Sequence, residues 1–426
     1  MRSALNGLAR QVAGAMRRER TISWALFDQF VVSGANFVTT VAVARELGVE
    51  EFGHFALGWA AVLFVQSLMT AMIVFPMMSI LPKLDAPGQR AYLPAFVTMA
   101  MIVSVAMPVV AVPAILFLLA STISGSMLAW LAPMTLASAA MLIHEVLRRL
   151  AFARGQPRRA TASDVVRYVA LTAMLLAGAA LFEIDVGWVF GLQGFAAILG
   201  VAICVGVAPP GSRRVADLLD VAKRHWISAK WLLGSAGLSW VTTNWLAFVV
   251  GTFVGVSAVA GVRASETLMG VFSVLVQSLQ NVVPVAAAKR LNEQGAAGML
   301  RYVDRTALVL LTAGITTSIA AAAIASPLFE LAFGPEFLQF SGLLFWFGLI
   351  ASLMAVELPV SAGLRAMEST GAIFGAYLAS TAWILVAGTA ATFAFGLAGA
   401  VAAYLSTWLL RVGLTYLVLR GAAGRS

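Results

Sequence analysis

Charged and amide side chains interrupt several long apolar stretches of this sequence. They are Asp28, Asn36, Gln66, Asn244, Arg263, Glu266 and Gln277. A charge at the centre of a bilayer costs about 2.5–3.5 kcal/mol on insertion scales, so within membrane helices these groups should pair or face a water-filled cavity. Arg263 and Glu266 are three residues apart, which places them on one helix face. We expect this set to line a polar cleft that binds a hydrophilic ligand.

Each of these residues also has a purely structural interpretation. Asp28 could cap or pair near the inner headgroups, and Gln66 and Gln277 could form hydrogen bonds between helices. Arg263 could extend to the outer headgroups or form a structural ion pair with Glu266. The cleft is favoured because the polar residues concentrate in the first two helices of each sequence half.

No motif for hydrolytic, nucleotide or metal chemistry is present. The sequence contains no GxxxxGK[ST], HExxH or GxSxG, the patterns of a phosphate loop, a zinc protease and a nucleophile elbow. The three histidines are scattered and the single cysteine, Cys204, lies in an apolar run. His144 and Glu145 precede Arg148 and Arg149, and a polar cluster at a helix end explains this group as well as an acid–base pair does. We therefore predict a protein that is not an enzyme and has no cofactor.

The composition predicts an all-α integral membrane protein. Hydrophobic residues make up 61% of the 426 positions and charged residues 11%, whereas soluble proteins contain about 25% charged residues. The net charge of +9 is assigned to contact with anionic lipids of the inner leaflet rather than to nucleic acid.

Twelve stretches are long and apolar enough to cross a bilayer, which takes about 20 residues. They are 22–44, 54–81, 93–119, 127–149, 164–182, 187–207, 233–253, 261–286, 304–325, 338–361, 371–394 and 397–418. We predict a basic amphipathic segment at 1–21, a six-helix lobe at 22–207, a cytoplasmic linker at 208–232, a second six-helix lobe at 233–420 and a tail at 421–426.

The basic residues orient these spans. If both termini are cytoplasmic, all of the 28 lysines and arginines except Arg45 and Arg263 fall on the inner side. Positive loops face the cytoplasm in membrane proteins. The sequence therefore predicts a multi-pass protein of the bacterial cytoplasmic (inner) membrane with both ends inside.

An internal repeat relates the two halves. The stretch RELGVEEFGHFALGWAAVLFVQSL at 45–68 is echoed by VGVSAVAGVRASETLMGVFSVLVQSL at 254–279. Asn36, Gly53 and Pro76 recur, at one constant spacing, as Asn244, Gly261 and Pro284. Duplicated halves around a central site are common in transporters, so we expect two lobes around a central polar cleft.

Five segments resemble those of the Wzx-type polysaccharide flippases of the multidrug/oligosaccharidyl-lipid/polysaccharide exporter superfamily. They are ARELGVEEFGHFAL (44–57), RRLAFARGQPRRATASDVVRY (148–168), FGPEFLQFSGLLFWF (333–347), GLRAMESTGAIFGAYLAS (363–380) and FGLAGAVAAYLSTWLLR (395–411). The resemblance implies export of an undecaprenyl-diphosphate-linked oligosaccharide by alternating access, with polysaccharide polymerase or export machinery as possible partners. Asp28 is similar in placement to an acidic residue of the superfamily's sodium- or proton-coupled drug exporters.

A diphosphate needs cationic guidance. Candidates at the inner face are Arg148, Arg149, Lys289, Arg290 and Arg365, and ordinary inner-loop charges are the alternative for each. Transport could be driven by the membrane potential or by Na⁺ or H⁺ coupling. A cation-coupled drug exporter of the same superfamily is the alternative function, followed by an integral-membrane glycan polymerase or acyltransferase.

Overall fold

The computed structural model describes residues 2–81, 84–118, 127–211, 214–279, 283–367 and 369–424, with side chains from residue 31 onward except at a few helical positions. Within these ranges all regular secondary structure is helical. The thirteen α-helices are α1 (Arg2–Met69), α2 (Phe75–Ile80), α3 (Ala86–Leu118), α4 (Met127–Ala153), α5 (Pro157–Leu181), α6 (Val186–Cys204), α7 (Val215–Phe253), α8 (Val256–Leu279), α9 (Val283–Ala323), α10 (Ala325–Phe333), α11 (Leu343–Ala366), α12 (Thr370–Trp383) and α13 (Thr389–Ala423).

Eight helical stretches of the described chain are long and apolar enough to cross a membrane. They are Val31–Ile80, Ala86–Phe117, Ala129–Ala153, Pro157–Leu181, Val186–Val207, Ala286–Ala323, Leu343–Ala366 and Ile373–Ala423. The first has 50 residues and the last 51. At 1.5 Å per residue an unbroken helix of this size would be about 75 Å long, more than twice the roughly 30 Å of a hydrocarbon core.

Both of these long stretches contain a break in the backbone. Gly48 in α1 has φ 70° and Gly396 in α13 has φ 59°, a left-handed conformation that glycine adopts without steric cost. Gly48 lies between the predicted spans 22–44 and 54–81, where the RELGVEEFG segment was expected to turn. Gly255, in the echo of that segment, also has a positive φ, of 118°.

Helices and predicted spans are therefore not in one-to-one correspondence. The predicted spans 22–44 and 54–81 both fall within α1 and its short continuation through a π-turn into α2. Helix α10 precedes the span predicted at 338–361, and the following 3₁₀ segment, Pro335–Phe340, overlaps its first residues. The twelve-span arrangement and the two-lobe repeat stay predictions.

The chain divides into two compact units. The first comprises residues 1–39, 65–117 and 126–233. Helices α4 and α6 pack closely there, because Gly194 lies against Ala137 and Gly200 against His144, where an added Cβ atom would be 2.9 and 2.6 Å from its nearest neighbour. Small residues of this kind let helix backbones approach.

Among the described residues, the second unit comprises 40–64, 118, 234–279, 283–367 and 369–424. Helices α9 and α11 are joined there by two reciprocal contacts, Gly314 with Ser352 and Gly348 with Ser318. The Ser318 hydroxyl also donates to the Phe345 carbonyl at 2.7 Å. Residues 40–64 come from the first half of the sequence but belong to this unit. The lobe boundaries 22–207 and 233–420 remain predictions.

Candidate functional site

Residues 40–64, which we call the first hairpin, pack tightly on α8. Gly53 approaches Val256 so closely that a Cβ atom on Gly53 would lie 2.1 Å from the Val256 carbonyl oxygen. The neighbouring Phe52 is fully buried, and its ring meets the ring of Phe337 edge-on at 5.9 Å. Only glycine at position 53 permits this contact.

An arginine fixes the turn of the first hairpin. Arg45 donates from Nε to the Ala332 carbonyl at 2.8 Å and from Nη2 to the Leu331 carbonyl. These carbonyls belong to the last turn of α10, where they lack partners within the helix. A cation at a helix C-terminus is also favoured by the helix dipole. Arg45 was interpreted from the sequence only as an outer-side basic residue, and the structure gives it this specific partner.

Behind the first hairpin lies a small pocket with a cavity volume of about 20 Å³, room for about one water molecule, which we call the hairpin pocket. It is lined by Ala56, Trp59, Ala60, Leu63, Thr243, Asn244, Ala247, Val259, Val262, Arg263 and Glu266. The wall formed by 56–63 is held in place by Trp240, which donates from its indole nitrogen to the Ala60 carbonyl at 3.2 Å and packs against Phe64 at 4.6 Å.

The hairpin pocket combines apolar walls with a few polar groups. The Arg263 guanidinium donates to the Glu266 carboxylate at 3.1 Å, and the two side chains are 34% and 30% exposed. Asn244, which also lines the pocket, donates from its amide nitrogen to the Trp240 carbonyl at 3.1 Å. Because the two charges cancel, the lining offers both donors and acceptors without a net charge. Such a set suits a hydroxyl-rich group.

Three of the residues predicted to line a cleft therefore come together: Asn244, Arg263 and Glu266. Asn36, which is exposed, and Gln66, which is half-buried, belong to the first unit. Asp28 and Gln277 lie outside the side chains that the structure describes. The assignment of all seven to one cleft remains a prediction.

The candidate diphosphate residues differ in how far they are neutralised. Arg148 pairs with Asp164 and with Glu145, the latter at 3.2 Å, and Arg149 pairs with Glu145 at 2.6 Å. In the second unit Lys289 lies 3.7 Å from the exposed Glu293, and the Arg290 guanidinium lies 5.7 Å from the centre of the Tyr302 ring. Arg365 is exposed at the end of α11.

A buried polar network in the first unit was not predicted. Arg167 is only 6% exposed, and its Nη1 lies 3.4 Å from the Nδ1 of His144. His144 in turn contacts Ser163 at 3.2 Å, next to Asp164. The Nε of Arg167 has no hydrogen-bond partner in the described part of the chain. The signal that could have identified this network is Arg167 itself, a charged residue within the apolar run that follows Ser163.

The second unit contains a similar residue, Arg411, which is 3% exposed. Its Nε donates to the Ser380 hydroxyl at 3.0 Å, and its guanidinium lies over the rings of Tyr377 and Trp408 at 4.1 and 4.6 Å. Aromatic faces attract a cation. From the sequence we counted Arg411 among the inner-side basic residues, but it lies among the helices.

No protein-family model and no curated protein sequence matches the chain. Solved structures do match. The inward closed conformation of the lipid II flippase MurJ has a TM-score of 0.73 at 10% identity, covering 94% of this chain and 87% of that one. An inward-facing multidrug resistance MATE family transporter of the MOP superfamily has a TM-score of 0.69 at 13% identity, covering 93% and 95%. A variant of the MATE transporter VcmN from Vibrio cholerae has a TM-score of 0.62 at 12% identity, covering 97% of each chain. The protein is thus a multi-pass helical membrane protein with the fold of flippases and exporters of this kind.

Proposed function

We propose that this protein is a flippase that moves an undecaprenyl-diphosphate-linked oligosaccharide from the inner to the outer leaflet of the bacterial cytoplasmic membrane. The observation that carries the proposal is the hairpin pocket, a polar, charge-balanced site within apolar helices. The fold that it shares with a lipid flippase supports the same function, as does the resemblance of the sequence to Wzx-type flippases.

The chemistry of the substrate explains such a pocket. Moving a sugar hydroxyl into hydrocarbon without a partner costs several kcal/mol, whereas the polyprenyl tail is stable in lipid. A pocket with paired polar groups and apolar walls lowers the first cost and leaves the tail outside. Twelve spans follow if Val31–Ile80 and Ile373–Ala423 each cross twice and if α7 and α8 also cross.

The first hairpin supplies a movable wall. In the proposed topology its turn faces the outer side, and the Arg45, Phe52 and Gly53 contacts close that side of the pocket. Release of the substrate outward requires residues 40–64 to separate from α7, α8 and α10. Alternating access of this kind is typical of transporters built from two repeats.

The diphosphate is better served by the exposed cations of the second unit than by Arg148, because Arg148 is largely buried against Glu145 and Asp164, whereas Lys289 and its partner Glu293 are both exposed. We assign guidance at the inner face to Lys289, Arg290 and Arg365. The membrane potential favours outward movement of an anion by about 2.3 kcal/mol per charge per 100 mV, so the proposed cycle needs no ATP.

A cation-coupled drug exporter is the second candidate function. It is favoured by the likeness to two MATE transporters and by Asp28 in α1. In that case deletion of the gene should lower drug resistance in a sodium- or proton-dependent manner, and Asp28→Asn should abolish the resistance that the intact protein confers.

Analysis of membrane lipids in a deletion strain tests the proposed function. We expect lipid-linked oligosaccharide to accumulate on the inner leaflet and to be cleared by the intact gene, but not by Arg263→Gln. Gly34→Ala serves as the matched control, because a Cβ atom there meets nothing within 4 Å. Unchanged glycan export together with a loss of drug resistance would establish the second function instead.

A further inference from the structure

The N-terminal part of α7, residues 215–230, has a buried face that docks on the first unit. Val221, His225 and Ala229 are spaced four residues apart and are all buried. His225 is fixed by the Tyr92 hydroxyl, 2.7 Å from its Nε2, and stacks on the Tyr92 ring. We call residues 215–230 the linker helix. Because this face is anchored, the rest of its surface has a defined orientation.

A second face of the linker helix is apolar and exposed. Val215 is 67% exposed, Leu219 53% and Trp226 56%. Their spacings of four and seven residues place them in one line along the helix. Exposed apolar residues in such a line need a partner that removes them from water.

Two lysines flank this apolar line. Lys223 follows Leu219 by four residues and Lys230 follows Trp226 by four, so each lies on the same side of the helix, one turn further along. Across residues 214–230 the charges are Arg214, Lys223, Arg224 and Lys230 against Asp217 and Asp220.

From this arrangement we infer that the linker helix lies in the headgroup region of a membrane and binds anionic phospholipid. Tryptophan and apolar residues enter the boundary between headgroups and chains, while lysines extend to the phosphates. Basic residues next to a membrane are attracted by its anionic lipids. A second protein is a poorer fit, because lysine is depleted in protein–protein interfaces. This inference is independent of which substrate the protein carries.

Site-directed spin labelling tests it on the full chain in lipid nanodiscs. Replacing the one cysteine, Cys204→Ser, gives a background for single labels at Val215→Cys and Leu219→Cys, with Arg224→Cys, an exposed position on the opposite side of the helix, as the control. We expect the first two labels to lie about 5–10 Å below the phosphates and the control label to be in water. Adding phosphatidylglycerol to phosphatidylcholine should deepen the first two labels.

Substituting Lys223→Gln with Lys230→Gln should abolish the effect of phosphatidylglycerol while leaving the labels immersed. Size-exclusion chromatography establishes that each variant is folded. Three results contradict the inference. They are labels at 215 and 219 that are as accessible to water as the label at 224, equal depth in the two lipid mixtures for the unsubstituted lysines, or dipolar broadening that places two copies of the helix side by side.

Discussion

Substituting Gly53→Ala should weaken the packing of the first hairpin on α8. The added Cβ atom would be 2.1 Å from the Val256 carbonyl oxygen and 2.7 Å from its carbon, where real Cβ atoms keep at least 3.0 Å. The obstacle is helix backbone, which cannot rotate away as a side chain can. The hairpin must therefore move by about 1 Å or detach from α8.

The structure sets the size of the effect. Overpacking a close contact costs about 1–3 kcal/mol, and each 1.4 kcal/mol is a factor of ten in an equilibrium. The population in which the first hairpin is separated from α8 should therefore rise about 5- to 150-fold relative to the population in which it is packed on α8. The buried Phe52 and the Arg45 hydrogen bonds oppose detachment equally in both proteins, so they do not alter this ratio.

Cysteine labelling measures that ratio. Val262 is buried and lines the hairpin pocket, so Val262→Cys in a Cys204→Ser background reports when the wall opens. A membrane-impermeant maleimide added from outside should label it about 5- to 150-fold faster in Gly53→Ala. Gly34→Ala, which introduces the same methyl group without a clash, should leave the rate unchanged. Equal labelling rates in the two folded variants would refute the assignment of residues 40–64 as a wall that must open.

Three further predictions follow from named residues. Breaking the Arg263–Glu266 pair with Glu266→Gln should lower the proposed flipping about tenfold, because the Arg263 guanidinium, which is 34% exposed, loses a charged hydrogen-bond partner. The swap Arg263→Glu with Glu266→Arg should fail to restore flipping, and restoration would indicate a purely structural pair. Burial lowers the pKa of His225 to about 4 from an ordinary value of about 6.5. The contribution of His225 to the free energy of unfolding should therefore be complete above pH 6.5 and fall by up to about 3 kcal/mol as the pH drops towards 4. Thermal melting as a function of pH checks this direction, because His225→Gln should lack the pH dependence. Alkaline phosphatase fused after residues 46, 184 or 334 should be active, and inactivity at two of these sites would overturn the proposed orientation.

Local features could be predicted from the sequence because their physical causes are local. The long apolar stretches require a helical membrane protein, since only helices and closed barrels satisfy backbone hydrogen bonds in lipid. The glycine in RELGVEEFG predicted a turn, and Gly48 makes it. Arg263 and Glu266 were predicted to share a helix face because they are three residues apart, and they form an ion pair.

Contacts between distant segments could not be predicted. Residues 40–64 pack with the second half of the chain because Gly53 fits against Val256 and Arg45 reaches the end of α10. Arg148 is neutralised by Asp164 across two helices, so its suitability for a diphosphate depends on a neighbour that spacing does not reveal.

The sequence by itself determined that this chain forms membrane helices, that α1 turns in the RELGVEEFG segment, and which polar residues are costly in lipid. The tertiary structure alone decided that Asn244, Arg263 and Glu266 share a pocket with Trp59, and that His225 anchors the linker helix on Tyr92. The physical reason is that hydropathy and helix periodicity act over a few residues. Which helix faces pack together depends on the shape of whole helices. A single glycine that permits close approach, or a buried arginine that needs a carboxylate, can decide which two helices are in contact.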